Sequence, residues 1–457
     1  MKKRDVYKKA LLLAVPMMIQ NGITNAVGLV DNVMVGSLGT ESMTAVSIVV
    51  QLIFVFNLSV FGGLSGPGIY GAQYYGQGNQ EGVRNVFRIK LWIGAFCMLV
   101  GTLVFLTLDT ALIGLYLHGN DAGIDSALTV TYAKQYLKIM IFNIFPFVIT
   151  QVYAGSLRET GESFKPMIAG VCSVIVDIVL NYILIYGKFG FPRLEVRGAA
   201  IATVAARVVE MVVIIIWAHA QKKKHTFLQG VYRTIKVPVA VVKEILKKSI
   251  PIYFNEFLWA GGIAALTQCY SLRGLSVVAG MNISNALCNL LNVVFVAMGN
   301  AVGILSGQLL GAGKYKEAKA NSMSLMWFTG GLCVLLTFLL VSISGVFPLL
   351  YDTSDEVRKL GGSFIVITAL FFPVQGCLNA LYFTLRSGGK TFVTFLFDSV
   401  YSWVVTVPIA WLLCNLTSLP ILTIYAIVQS ADIIKLLVGY VLIQKGIWIT
   451  NLVEEKQ

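Results

Sequence analysis

Charge is what this sequence has least of. Only 12% of its 457 residues are Asp, Glu, Lys or Arg, where a soluble chain carries about 25%. Hydrophobic residues make up 57% and the mean hydropathy is +0.77, which excludes a soluble globular fold. Paired cysteines are missing too. Cys97, Cys172, Cys269, Cys288, Cys333, Cys377 and Cys414 stand singly, with no Cys-x-x-Cys, so neither a disulfide frame nor a zinc or redox site is legible. His118, His219 and His225 are equally dispersed and His-Glu-x-x-His does not occur, which removes the metal set an intramembrane enzyme would need. No enzymatic activity and no cofactor are expected. Gly388-Gly389-Lys390-Thr391 lacks the upstream glycine of a phosphate loop.

What is present is long apolar runs. A helical span needs roughly 20 apolar residues, and these runs are continuously apolar over about twice the length of a barrel strand. The reading is an all-α integral membrane protein with twelve transmembrane helices, near 10–36, 44–72, 88–108, 130–153, 166–187, 198–219, 250–272, 279–307, 322–346, 361–384, 391–413 and 421–443. The basic start MKKRDVYKK precedes an apolar run too long for a signal peptide and without a cleavage site, so the first span is expected to stay uncleaved.

The formal net charge of +13 reads as topology. With the amino terminus in the cytoplasm, the inner loops hold Lys2, Lys3, Arg4, Lys8, Lys9, Arg84, Arg88, Lys90, Arg158, Lys165, the basic stretch 222–248, Lys314, Lys316, Lys319, Arg386, Lys390, Lys445 and Lys456. The outer loops keep only Lys188, Arg193, Arg197, Arg273, Arg358 and Lys359. This satisfies the positive-inside rule with both termini cytoplasmic in a plasma (inner) membrane. It matches anionic lipid, and no nucleic-acid partner is expected. The loop 220–249 is the best linker, and its part VAVVKEILKK has the apolar spacing of a surface-lying helix. The division is thus an amino-terminal lobe 1–220, a cytoplasmic linker 221–249 and a carboxy-terminal lobe 250–457.

The two lobes repeat. At one constant offset Pro16 matches Pro251, Gly39 matches Gly274 and Asn57 matches Asn292. Gly68, Ile69, Gln73, Gly76 and Gly78 likewise match Gly303, Ile304, Gln308, Gly311 and Gly313, and Leu157-Arg158-x-x-Gly161 recurs as Leu385-Arg386-x-x-Gly389. The repeated Gln-x-x-Gly-x-Gly reads as a tight turn closing the second span. Six spans per lobe give both lobes one orientation, related by a pseudo-two-fold axis along the membrane normal. That is the plan of transporters whose two bundles rock about a substrate. A channel explains the repeat less well.

Six acids fall inside spans: Asp31, Asp177, Glu210, Glu256, Asp398 and Asp432. A carboxylate facing lipid costs at least about 3 kcal/mol, so such acids face a cavity or the bundle interior. Glu210 is three residues from Arg207, and Asp432 three from Lys435, so both are expected as structural pairs on one helix face. The other four have no such neighbour. Asp177 and Asn181 project from one face, about 6 Å apart. Asp31 differs from Asp177 in depth by about 7 Å at 1.5 Å per residue, so the two can converge, with the Thr203 hydroxyl beside them. These oxygens suit Na⁺, and the same acids could carry H⁺ instead. Glu256 falls in the other lobe, as a substrate or second coupling site, and Asp398 lies at similar depth.

These residues resemble the multidrug and toxic compound extrusion (MATE) family over nearly the whole chain. The resemblance rests on Val30-Asp31-Asn32-Val33-Met34-Val35-Gly36, Gln73-Tyr74-Tyr75-Gly76-Gln77-Gly78, Asn181-Tyr182-Ile183-Leu184-Ile185-Tyr186-Gly187 and Gly198-Ala199-Ala200-Ile201-Ala202-Thr203. To these add Gln308-Leu309-Leu310-Gly311-Ala312-Gly313 and Lys445-Gly446-Ile447-Trp448. It implies a twelve-helix antiporter, read here as a monomer, that exports small organic, usually cationic compounds in exchange for Na⁺ or H⁺. It also implies that Asp31 is the first-span coupling acid and that Asp177, Asn181 and Thr203 complete the cation site. Glu256 resembles the span-seven acid of one subgroup. The span-ten acid of that subgroup is missing, with Gln375 and Asn379 the polar residues in its place. The rival reading is a lipid-linked oligosaccharide flippase of related fold, which would favour extra spans and a cation-rich cavity.

Overall fold

The computed structural model describes residues 3–116 and 125–454; Lys2, His118 and Lys456 lie outside them. Among the described residues twelve long helices follow one another: α1 Lys3–Gly36, α2 Thr40–Gln77, α3 Gln80–Thr107, α4 Ser126–Glu159, α5 Phe164–Tyr186, α6 Glu195–Ala220, α7 Val239–Ser271, α8 Leu275–Gly311, α9 Tyr315–Ile343, α10 Asp355–Ser387, α11 Thr391–Leu416 and α12 Ile421–Gln444. No strand occurs among the described residues. Eleven of the twelve are long and apolar enough to cross a membrane; α7 is not among them, and it holds Asn255, Glu256 and Gln268.

Local chemistry sets several boundaries. The Asp125 carboxylate accepts from the backbone N–H of Ala127 at 2.9 Å and Leu128 at 3.1 Å. This N-cap starts α4 four residues before the apolar run. Gly187 ends α5 in the left-handed region at φ 66°, where a side chain would be strained. In α11 two π turns, Leu396–Val400 and Ser402–Thr406, precede Pro408. Proline lacks an N–H and crowds the carbonyl one turn before it, and a widened turn relieves both. The segment VAVVKEILKK, expected as a separate surface helix, is instead the first three turns of α7 and continues through Pro251.

By contacts the chain falls into two compact units. One comprises Met1–Met18, Ile69–Asn79 and Lys243–Gln457, the other Ile19–Gly68 and Gln80–Val242. The cuts through α1 and α2 fall within a few residues of Pro16 and Pro67, where the hydrogen-bond ladder is already interrupted.

In the larger unit the helix pairs α8–α10, α9–α10, α10–α12 and α8–α9 pack around a core including Met298, Leu310, Leu325, Leu381, Leu385 and the fully buried Trp448. Here the ends of α2 and α8 cross. Ala72 and Gly76 lie one turn apart, as do their repeat partners Gly307 and Gly311. A Cβ on Gly76 would overlap the backbone of Gln308, and one on Gly311 the backbone of Gln73. Small residues at i and i+4 let helix backbones meet this closely. Only Gly78 and Gly313, at φ 82° and 71°, are the tight turns expected of the motif; Gly76 and Gly311 serve close approach. Gln73, fully buried, donates to the carbonyls of Ser387 at 2.8 Å and Thr450 at 3.2 Å and accepts from Leu452 N–H at 2.7 Å. It thereby binds the chain after α12 to the end of α2.

In the smaller unit α5–α6, α4–α6 and α3–α4 pack. The linker turns Thr226–Leu228 and Val231–Arg233 are held by α3, whose Arg84 and Arg88 donate to the carbonyls of Phe227 and Val231 at 3.3 and 3.0 Å. Many cations expected in loops are helical instead, four of them at or near buried helix ends. Arg88 is 4% exposed and Lys90 1%, and Arg158 and Arg386 lie in the last turns of α4 and α10. Lys90 pairs with Glu159 at 2.6 Å, because a buried charge needs a hydrogen-bonded partner.

Candidate functional site

Asp31 lies half-buried on α1, while Asp177 and Asn181 are buried one turn apart on α5. The Asn181 side-chain amide donates to Asp31 Oδ1 at 2.9 Å and to Asp177 Oδ2 at 3.3 Å. The convergence expected from helix depth is therefore met, with one amide bridging both acids. Thr203, half-buried on α6, donates to the Ala199 carbonyl at 3.1 Å and lies near Asp177. Tyr136, buried on α4, lies near Thr203. Two oxygens remain: Asp177 Oδ1 and Asn181 Oδ1 are buried and have no hydrogen-bond partner among the described residues.

Two carboxylates this close repel when both are ionised, and a shared proton or a bound cation relieves the repulsion. The donor set is two carboxylates, an amide and a hydroxyl. That is hard oxygen chemistry, suited to Na⁺ rather than to soft metals. Among the described residues no group of three or more His, Cys, Asp and Glu could hold a metal ion. Nearby, Arg207 binds Glu210 at 2.7 Å as expected. Gln20 accepts from Arg158 at 2.8 Å.

The second polar cluster lies in the other unit, on α7, α10, α11 and α12. Lys435 binds Asp398 Oδ1 at 2.6 Å, so its expected pairing with Asp432 is corrected. Gln375 donates to Asp432 instead. Spacing along one helix could not show this, because the α11 acid reaches Lys435 from a neighbouring helix. Asn255 donates to Asp398 at 3.2 Å and to Tyr382 at 3.1 Å. Glu256, without a cation on its own helix, meets Arg386 of α10 at 3.8 Å. Asn379 is half-buried on α10, its backbone carbonyl against Gly299. Each of these acids thus has a protein cation or amide beside it.

The MatE family model matches the chain twice, over residues 16–183 and 251–412. The two matches begin at Pro16 and Pro251, the first equivalent pair of the repeat. This chain belongs to the MATE family. Its relatives include the probable multidrug resistance protein YoeA of Bacillus subtilis (strain 168), 26% identical over 96% of this chain and 93% of that protein. The probable multidrug resistance protein NorM of Thermotoga maritima is 26% identical over 94% of this chain and 90% of its own length. A crystal structure of MATE in the bent conformation superposes with a TM-score of 0.86 at 19% identity, covering 98% of this chain and 97% of that one. The likeness to that structure establishes the fold: an all-helical membrane protein of two pseudo-symmetric lobes. MATE proteins are transporters, and this chain is a multi-pass membrane transporter.

Two features of this MATE chain were not visible in its sequence. Tyr136 sits between Lys134-Gln135 and Lys138, where a tyrosine gives no signal. Asn255 marks the start of an α7–α11 network, with Ser399 donating to its Oδ1 at 2.7 Å, that only tertiary contact reveals. The repeat also separates the two clusters. Arg158 and Arg386, and Arg207 and Lys435, correspond, but no acid occurs between residues 399 and 431 or between 257 and 316. The carboxy-terminal half therefore has no counterpart of Asp31 or Asp177.

Lys435→Met leaves the Asp398 carboxylate without its cation. Breaking a largely buried pair from one side costs about 3 kcal/mol or more. Adding Asp398→Asn removes the stranded charge and recovers most of that. Thermal unfolding in detergent of the two single variants and the double one measures the coupling. Additive losses would show that the pair contributes nothing as a pair.

Proposed function

We propose that this protein is a secondary antiporter, exporting small amphipathic organic cations in exchange for Na⁺ or H⁺. Asp31, Asp177, Asn181 and Thr203 form the coupling site. The observation that carries the reading is the Asn181 amide joining two acids from different helices beside two unpartnered buried oxygens. The relatives named as multidrug resistance proteins support the substrate class.

The amide has two orientations. With its NH₂ group toward Asp31 and Asp177, Asn181 satisfies the carboxylates by hydrogen bonds. Turned over, it offers Oδ1 to a cation and completes a set of four oxygen donors with the Thr203 hydroxyl. A proton would instead bind on the Asp31–Asp177 pair. Either ion neutralises the site and weakens its hold on a cationic substrate. Coupling requires this difference in affinity between states, and it is reciprocal: the drug must weaken ion binding by the same factor. The lobes 1–220 and 250–457, joined by the linker 221–249, are proposed to rock about the site, with both termini cytoplasmic in the plasma membrane and the protein acting as a monomer. Glu256, Gln375 and Asn379 are assigned to substrate rather than ion, because the acids of that cluster already have protein partners.

Ethidium efflux from reconstituted vesicles holding a Na⁺ or a proton gradient tests this. Efflux under one gradient and not the other names the ion. Absence of transport under both, with folded protein confirmed, would overturn the antiporter reading and make lipid-linked substrates the next assay.

A further inference from the structure

Three lysines crowd the basic end of the α7–α11 seam. Lys247 is exposed and Lys248 half-buried on α7, and Lys390 precedes α11. Lys390 and Lys247 lie within electrostatic reach of Lys248, opposed only by Glu244. None of the three has an ion-pair partner among the described residues, unlike Lys90, Lys224 and Lys435 elsewhere in the chain. Below this crown both helices present apolar side chains: Ile250 and Phe254 on α7, 55% and 56% exposed, and Phe392 and Leu396 on α11, 61% and 43% exposed. The helices are joined beneath by Trp403, whose indole N–H donates to the Leu258 carbonyl at 2.8 Å.

We infer that this seam is a binding site for an anionic phospholipid, its headgroup phosphate among Lys247, Lys248 and Lys390 and an acyl chain along the exposed faces of α7 and α11. The charge complementarity is direct: three like charges opposed by a single carboxylate, Glu244, are stabilised by an anion. The apolar stripes continue from that crown, and α11 is long and apolar enough to cross the bilayer, so the anion that fits both is a lipid rather than a free phosphate. Each lysine near an anionic headgroup contributes about 1 kcal/mol, which is about fivefold in affinity.

The test is the lipid retained by the full chain extracted from nanodiscs of equal phosphatidylglycerol and phosphatidylcholine, counted by native mass spectrometry. Wild type retains phosphatidylglycerol preferentially. The triple variant Lys247→Gln/Lys248→Gln/Lys390→Gln loses that preference by at least about tenfold. The control Lys222→Gln/Lys223→Gln/Lys236→Gln removes the same charge from exposed linker positions and keeps the preference within twofold. Equal loss in both variants would reduce the effect to diffuse positive charge and overturn the site. So would an unchanged triple variant, or displacement of the lipid by millimolar inorganic phosphate. Should the triple variant not fold, Lys247→Gln alone, at an exposed position, lowers the ratio about fivefold.

Discussion

Asp31→Asn reduces gradient-driven ethidium efflux to the level of protein-free vesicles while the protein still folds. The substitution is nearly isosteric, and Asn181 can still donate to the oxygen left at position 31 across the present 2.9 Å. What disappears is one negative charge and one titratable group. The remaining site holds a single carboxylate, Asp177, without the like charge whose repulsion favours uptake of the coupling ion, so ion binding there no longer shifts the hold on a cationic substrate enough to drive exchange. A substrate bound equally in both states is not moved by any gradient, however tightly it binds. The measurement pairs efflux with thermal unfolding and with equilibrium binding of the substrate. Full efflux by Asp31→Asn would sink the assignment of this acid to coupling. Loss of efflux together with loss of folded protein would instead make Asp31 structural.

The relation between sequence and structure differs between the two polar clusters. Asp31, Asp177 and Asn181 could be expected to meet because one turn separates two of them and rise per residue puts the third at similar depth; that α1 faces α5 there is shown by the Asn181–Asp31 contact. The Arg207–Glu210 pair follows from the same periodicity. The network of Asp398, Lys435, Asn255 and Arg386 does not, because its partners come from four helices whose mutual rotation no spacing records. Lys435 has a plausible partner one turn away in Asp432 and takes another at 2.6 Å. Loop cations are a related case. Lys90 and Arg386 sit at span ends, where composition reads them as topology signals, yet both turn inward to a carboxylate. The π turns of α11 leave no periodic trace other than Pro408, which allows a kink without specifying it.

The repeat, by contrast, is fully legible in sequence, and its strongest mechanical consequence can be tested at two glycines. Gly76→Ala and Gly311→Ala are each expected to lose about 3 kcal/mol or more, the upper range for overpacking. The added methyl meets backbone in both cases, Gln308 or Gln73, and backbone in a helix cannot swing aside as a side chain can. Helix propensity alone predicts the opposite sign, since Gly→Ala inside a helix gains up to about 1 kcal/mol. Gly331, in α9 with nothing near its missing Cβ, supplies that baseline: Gly331→Ala is expected to be neutral or stabilising. The crossing is reciprocal, so the two losses should be similar in size. Thermal unfolding of the three variants in one detergent measures them. A large loss at one of the pair and none at the other would show that the backbones do not cross symmetrically. Neutral behaviour at both would show that the ends of α2 and α8 are free to separate, and that Gln73 alone holds the chain after α12 in place.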